Sequence, residues 1–496
     1  MSALKKLAGQ TAIYGLPSML GRFLNYLLVP LHTGKFLPAD YGVVSDMYAI
    51  VAFMAVILPF GLETAYFRYA NIEGNNPTKV LKTSLSMVFF SSATFLCVIL
   101  FFTDAVADIM KYPNHPEYIV WMGLALVFDA LSAIPMASLR KNEKAVRFAV
   151  INGVNIFINI GLNVFFIYFC YNWQEAGVSN WFTENLFDPT IGVGYIFIAN
   201  MVASGVKFLL LLPSYGHFSL HIDRELGKQM LKYSLPLMVA GLAGIINETL
   251  DRRLIRVLLE PTLGEEGALA QVGIYSACYK LSIIISLFNQ AFRYAAEPFF
   301  FSKEKDKDAR KVYADVMHYF VIIVTSIFLV VLFYLDFFKL FIRTEAYWEG
   351  LKVVPILLMA NIFLGIYYNL AVWYKLAHMT LYGAFMAGIG AVITITLNLY
   401  LVPRIGYMGS AWATLAAYGG MACLSWRFGK KYYPIPYNMK AIGGYLGLSV
   451  ILYFISIQFD WDSLGKTVLF NSMLLFVFVA VLLKFEGRNM LRLVKK

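Results

Sequence analysis

The 496 residues are 59% hydrophobic and only 14% charged, with a mean hydropathy of +0.65 and a net charge of +11. So apolar a chain is not a water-soluble domain; its solvent is a bilayer. Its four cysteines fall inside apolar segments without CxxC spacing, which excludes a disulfide framework and a thiolate metal site.

A spanning helix takes about 20 mostly apolar residues, and such stretches recur with only short breaks. The first, 9–33, carries Arg22 at mid-depth and no small-residue cleavage site, so it reads as a permanent helix and not as a signal peptide. Spans follow at 41–66, 82–103, 119–139, 148–171 and 190–212, then at 233–259, 271–299, 312–335, 352–373, 380–401 and 409–426, and last at 441–458 and 467–484. The fold class is therefore an all-α polytopic membrane protein with 14 transmembrane helices. No connection has room for a soluble domain.

Lys and Arg gather in alternate connections, from Lys5 and Lys6 through Arg140, Lys141, Lys144 and Arg147 to Lys495 and Lys496. By the positive-inside rule both termini are expected in the cytoplasm. Topology and anionic membrane lipids account for the net positive charge; a nucleic-acid partner is not needed.

The chain also contains itself twice. Span 1 reads Tyr14-Gly-Leu-Pro17-Ser-Met19 and span 7 reads Tyr233-Ser-Leu-Pro236-Leu-Met238. Ala39, Gly42, Ser45, Tyr48 and Ala65 match Ala270, Gly273, Ser276, Tyr279 and Ala296 at an offset of 231. Arg140 against Lys375, Leu162-Asn163 against Leu397-Asn398, and Pro189-Thr-Ile-Gly192 against Pro403-Arg-Ile-Gly406 continue the series in order. Each unit has six helices, an even number, so the halves share one orientation and are related by a pseudo-two-fold axis along the membrane normal. The expected divisions are 1–232 and 233–440 as six-helix lobes, with 441–496 as two additional helices and a tail.

Two six-helix bundles plus two helices, a Y-x-L-P-x-M opening to each half and a P-x-x-G-Y-x-G turn at Pro403 to Gly409 resemble the multidrug/oligosaccharidyl-lipid/polysaccharide exporter superfamily. The run Val272 to Ser276, then Tyr279-Lys280-Leu281 and Pro298, is similar to its polysaccharide branch, the O-antigen and capsule flippases. The resemblance covers essentially the whole chain. It implies a non-enzymatic, cofactor-free transporter of the bacterial inner membrane that moves a polyprenyl-pyrophosphate-linked oligosaccharide to the outer leaflet by alternating access, for polysaccharide and lipopolysaccharide biosynthesis, alongside polymerase or glycosyltransferase partners.

Charges at membrane depth cost about 2.5–3.5 kcal/mol each on insertion scales and usually face a cavity or a partner. The deepest are Arg22, Asp129, Glu248, Asp251 and Arg252; Asp46, Glu63, Arg68, Lys207, Arg256, Lys280, Arg293 and Glu297 lie nearer the ends. On span 7, Glu248, Arg252 and Arg256 step by i, i+4, and Asn247 and Asp251 form the adjacent row. Arg253 points about 100° away from Arg252 and is left out of that face. The face reads in two ways. Glu248 and Arg252 neutralise each other and lock the helix, or the face lines a central cavity; Arg22 at similar depth on the repeat-equivalent helix favours the second.

Arginine's planar fork suits pyrophosphate oxygens. Arg22, Arg252 and Arg256, assisted by Lys280 and Arg293, are therefore the candidate substrate ligands. Asn247, Glu248, Asp251, Thr394 and Asn398 are candidates for a coupling cation, Na+ or H+, because some superfamily members place a sodium site between helices 7 and 11; ordinary interhelical hydrogen bonding is the competing account. Asp129 and Lys207 are further intramembrane charges. Pro17 and Pro236 occupy equivalent positions and are candidate hinges.

Other signatures fail. Leu464-Gly-Lys466-Thr467 lacks the first glycine of a Walker loop, and His217 with His221 has metal spacing but no third ligand. Asp306-x-Asp308 and Asp460-x-Asp462 sit in short polar turns. Three rivals stay open: a cation-coupled multidrug exporter of the same superfamily, whose cavity should be acidic; a membrane-embedded glycosyltransferase or polysaccharide polymerase, which would need a sizeable loop or domain; and a non-transporting scaffold or lipid scramblase.

Overall fold

Apolar runs punctuated by proline and asparagine become helices that start where the punctuation stands. The computed structural model describes residues 21, 23–216, 222–459 and 463–494. Its principal helices are α1 (Val29–Lys35), α2 (Pro38–Ile57), α3 (Leu62–Tyr69), α4 (Pro77–Phe101), α5 (Thr103–Met110), α6 (Pro116–Lys141), α7 (Ala145–Asn163), α8 (Gly194–Leu211), α9 (Arg224–Lys303), α10 (Ala309–Phe333), α11 (Val354–Leu370), α12 (Leu381–Ile405), α13 (Tyr407–Tyr432), α14 (Met439–Gln458) and α15 (Leu464–Val494), joined by short helical turns and loops. Pro38, Pro77 and Pro116 each open a helix, where the missing N–H is no loss. Asn76 caps α4 by accepting from the backbone N–H groups of Thr78 and Lys79 at 3.0 and 3.4 Å.

Eleven helical stretches among the described residues are long and apolar enough to cross a membrane, and they cover most of the expected spans. About half of the first span, with its Pro17, lies outside the described residues. Two differences elsewhere have physical causes. Span 2 is interrupted after Ile57: Phe60 and Gly61 take positive φ of 50° and 68°, Pro59 has no N–H to continue the ladder, and the helix restarts at Leu62. Spans 7 and 8 run together as α9, whose 80 residues would measure ~120 Å if straight, far beyond a bilayer. The backbone breaks at Gly264 (φ 72°, ψ 175°), a conformation only glycine adopts cheaply. Pro236 sits within the helical backbone of α9, so the break falls elsewhere than at that candidate hinge.

The chain forms two compact units, Met1–Ser276 with Thr394–Ser410, and Ala277–Ile393 with Ala411–Lys496. These follow packing and differ from the repeat-based boundary at 232/233. In the first unit, one core gathers Tyr118, Met122, Phe166, Tyr195 and Phe197, with the Phe166 and Tyr195 rings stacked at 4.4 Å; a second gathers Leu62, Ala65, Tyr66, Leu126, Ile134 and Met230. In the second unit, Ala296, Phe300, Ala309, Tyr313, Val372 and Leu376 pack together. Large apolar side chains also point outward: Phe101, Phe157 and Leu381 are 81%, 79% and 83% exposed. Surfaces of that kind are lipid-facing in a protein made of membrane-length helices.

The repeat has a physical counterpart inside the first unit. A Cβ on Gly42 would collide with the carbonyl of Leu269, and a Cβ on Gly273 with the carbonyl of Pro38. Residues 38 and 42 shifted by 231 are residues 269 and 273. The two approaches are therefore images of each other, the reciprocal pattern that a two-fold axis imposes.

Candidate functional site

Beside that glycine crossing lies a buried knot of charges built from α2, the turn after α5, and α9. Asp46, one helical turn beyond Gly42, is fully buried. Its Oδ2 accepts hydrogen bonds from the Tyr112 hydroxyl at 2.8 Å and from Nη1 of both Arg253 and Arg256 at 2.9 Å, while its Oδ1 has no partner. Lys111 takes a left-handed φ of 63° to end α5, which turns the chain so that Tyr112 faces inward. The Lys111 carbonyl accepts from Arg256 Nη2 at 2.5 Å, and the Met110 carbonyl accepts from Arg253 at 3.3 Å.

The knot balances its charge. Arg256 also reaches Glu265 at 3.0 Å, and Lys111 pairs with Glu260 at 2.8 Å, so three cations meet three carboxylates. The Arg256 guanidinium lies 4.0 Å from the Tyr112 ring centroid, adding a cation–π contact in a desolvated place. Burial and then the neighbouring Asp46 charge push the Tyr112 phenol well above its usual range, so it stays a donor. With Arg256 fully buried, this cluster ties α2 and the turn after α5 to α9 as a clasp.

One turn along α9 the arrangement changes. Asp251, also buried, accepts from Arg252 Nη1 at 2.7 Å and from the Tyr275 hydroxyl at 2.6 Å. Arg252 Nη1 also donates to the Glu248 backbone carbonyl at 2.6 Å, whereas the Glu248 residue is exposed. Mutual neutralisation of the Glu248 and Arg252 side chains is thus not the pairing found; Asp251 takes that place.

Of the candidate cation ligands, Thr394 donates to Asn247 Oδ1 at 3.0 Å, Asn398 donates to the Thr394 carbonyl at 2.7 Å, and Ser410 donates to Asn398 Oδ1 at 2.5 Å. Asn247, Thr394 and Asn398 therefore converge, Asp251 lies one turn beyond Asn247, and Glu248 stays apart. The first half holds a similar motif without a carboxylate: Asn159 donates to Asn25 Oδ1 at 3.3 Å, and Asn163 shares its amide oxygen with His32 at 3.0 Å. Among the described residues no group of three His, Cys, Asp or Glu could hold a metal ion; His217 and His221 lie outside them.

Asp129 pairs with Lys207 at 3.1 Å. In the second unit Lys280 is half-buried, Arg293 stands 5.1 Å over the Tyr368 ring, and Glu297 pairs with Lys375. Arg22 lies outside the described residues. Sequence reasoning missed Arg253, excluded on helical angle although a long guanidinium bends round to the i+3 face. It missed Tyr112 altogether, because a single tyrosine in a loop carries no periodic signal.

A family model described as polysaccharide biosynthesis protein matches residues 36–350, more than half of the chain. No curated protein sequence matches. Among solved structures, the lipid II flippase MurJ in an inward closed conformation is 14% identical, with a TM-score of 0.69 over 95% of this chain and 98% of that one. An inward-facing multidrug resistance MATE family transporter of the MOP superfamily is 13% identical, with a TM-score of 0.63 over 88% and 99%. A MATE protein in complex with MaD3S is 13% identical, with a TM-score of 0.60 over 90% and 99%. At these identities the likeness is one of fold, and it is the fold the repeat and the helix pattern called for.

Proposed function

Because the chain belongs to the polysaccharide biosynthesis protein family and has the multi-pass transporter fold of the wider exporter superfamily, we propose that it flips a polyprenyl-pyrophosphate-linked oligosaccharide from the cytoplasmic to the outer leaflet of a bacterial inner membrane. The observation that carries this reading is the family match over residues 36–350, the stretch that holds the arginines of α9. Sugars and pyrophosphate cannot cross hydrocarbon with their polar groups unsatisfied, so the protein must supply partners while the polyprenyl tail stays in lipid. Both termini are cytoplasmic in this scheme, and the repeat halves 1–232 and 233–440 alternate access, with 441–496 as an appendix.

Arg252, Lys280, Arg293 and Arg22 are the phosphate ligands of this proposal; Arg256 instead belongs to the clasp. Arg252 has a further part. When it leaves Asp251 for a phosphate oxygen, Asp251 keeps only neutral donors such as Tyr275 and becomes a seat for a coupling proton or Na+, close to Asn247, Thr394 and Asn398. Outward transfer of an anion is itself favoured by about 2.3 kcal/mol per charge per 100 mV in an inside-negative cell, so the cation assists and is not required.

The test is flipping of a fluorescent polyprenyl-pyrophosphate oligosaccharide in reconstituted vesicles. Arg252→Gln should abolish it, and Asp251→Asn should leave flipping but remove its dependence on pH or Na+. Undiminished flipping by Arg252→Gln, or cation-driven uptake of a cationic dye in place of the lipid, would overturn the reading and favour the multidrug exporter.

A further inference from the structure

A cavity of about 400 Å³ opens within the second unit, between the ends of α11 and α13 and the strap that leads into α14. Its size falls in the ~300–1,000 Å³ range of small-molecule sites. Its lining includes the buried Leu370 and Trp373, the exposed Trp426 and Lys430, and the Pro434–Tyr437 strap.

The walls are built in advance. Trp373 is buried, donates from Nε1 to the Ser425 hydroxyl at 3.1 Å, and stacks on Tyr432 at 6.0 Å and 14°. Gly429 lets the indole in, since a Cβ there would stand 2.9 Å from Trp373. Pro434 and Pro436 restrict the strap's backbone, and Ile435 and Tyr433 anchor it on the core of Ala296, Phe300 and Tyr313.

Lys430 is the charged residue of the lining, Arg310 stands 4.7 Å over the ring of the lining Tyr433, and Lys440 directly follows the lining Met439; no acidic residue occurs between 427 and 459. Lys430 and Lys440 are exposed. The site lies where α11 and α13 end, and its tryptophans and tyrosines are the side chains enriched at membrane interfaces.

We propose that this cavity binds an anionic glycerophospholipid, with one acyl chain against Trp373 and Trp426 and the headgroup phosphate on Lys430 and Lys440. An apolar slot with a cationic rim fits an anionic amphiphile and rejects a zwitterionic one less by shape than by charge. The site is independent of the transport reading and would stand if that reading failed.

The test uses the full-length protein in phosphatidylcholine vesicles, to which phosphatidylglycerol or further phosphatidylcholine with brominated acyl chains is added. Bromine quenches nearby tryptophans, and the difference between wild type and Trp426→Phe isolates the signal of Trp426. Brominated phosphatidylglycerol should quench that signal at a lower mole fraction than brominated phosphatidylcholine. In Lys430→Glu/Lys440→Glu the fraction needed should rise by more than about 30-fold, the factor that loss of roughly 1 kcal/mol per interfacial lysine alone gives. Lys430→Gln/Lys440→Gln repeats the measurement with a milder change should the reversal fail to fold. Equal quenching by the two lipids, or a preference that survives in both variants, would overturn the site.

Discussion

Replacing Asp46 by Asn removes one negative charge from the centre of the clasp and keeps its shape. In the wild type, Oδ2 takes three donors, two of them guanidinium groups, in a place with no exposure. Breaking a buried ion pair by neutralising one partner costs about 3–5 kcal/mol. The lower end applies here, because Arg256 keeps Glu265 and the Lys111 carbonyl, and the Arg253 side chain is 19% exposed. A loss of about 3 kcal/mol is a factor of roughly 10² in a conformational equilibrium. That cost falls on the state in which α2 is clasped to α9, so the variant should populate a state in which these helices part. Leu269→Cys in a background with the four native cysteines replaced is the reporter, because Leu269 is buried at the crossing with Gly42. Maleimide labelling in membranes should accelerate by one to two orders of magnitude with Asp46→Asn. An unchanged labelling rate in a folded variant would refute the clasp.

Gly42→Ala and Gly273→Ala should accelerate the same labelling by similar factors, since each puts a methyl group against a backbone carbonyl of the other helix that has nowhere to move. Tyr112→Phe removes a hydrogen bond to a charged acceptor and should lower the stability of the clasped state by about 1.5–3 kcal/mol, read as a proportionate rise in labelling. The raised phenol pKa sets the sign of a pH effect: its contribution is complete below pH ~10 and is lost only as pH rises through the folded-state value, so labelling should be independent of Tyr112 ionisation across the physiological range. Gly365→Ala should lower the melting temperature, because its Cβ meets Asn289 Oδ1 and the Phe320 ring, an overpacking worth about 1–3 kcal/mol.

The spans were legible because twenty apolar residues in succession have one low-energy form in a bilayer. Their interruptions were not: the apolar pattern carries span 41–66 unbroken through Pro59-Phe60-Gly61, where the backbone instead turns to positive φ and a Cβ on Gly61 would stand 3.0 Å from the Ser234 carbonyl, and Gly264 falls in a segment expected to be a loop. The repeat was legible, and the Gly42 and Gly273 contacts give it substance. Depth singles out Asp251 and Arg252, which pair in the structure, but the wheel that groups Arg252 with Arg256 records where each Cβ points, not where a long guanidinium side chain ends. Arg256 therefore meets Asp46 together with Arg253, and the carboxylate that decides this comes from a helix some two hundred positions away in sequence. No local pattern carries that information.

The paired approaches of Gly42 to Leu269 and Gly273 to Pro38 also restrict how the joint can move. For two helices that run in the same direction, sliding one along its axis draws one glycine away from its carbonyl and drives the other onto its own. Sliding in either direction therefore presses one of the two contacts. The permitted motion is to tilt apart about a line across both contacts, so a duplication that began as copied sequence leaves the protein with a bearing that turns and does not slip.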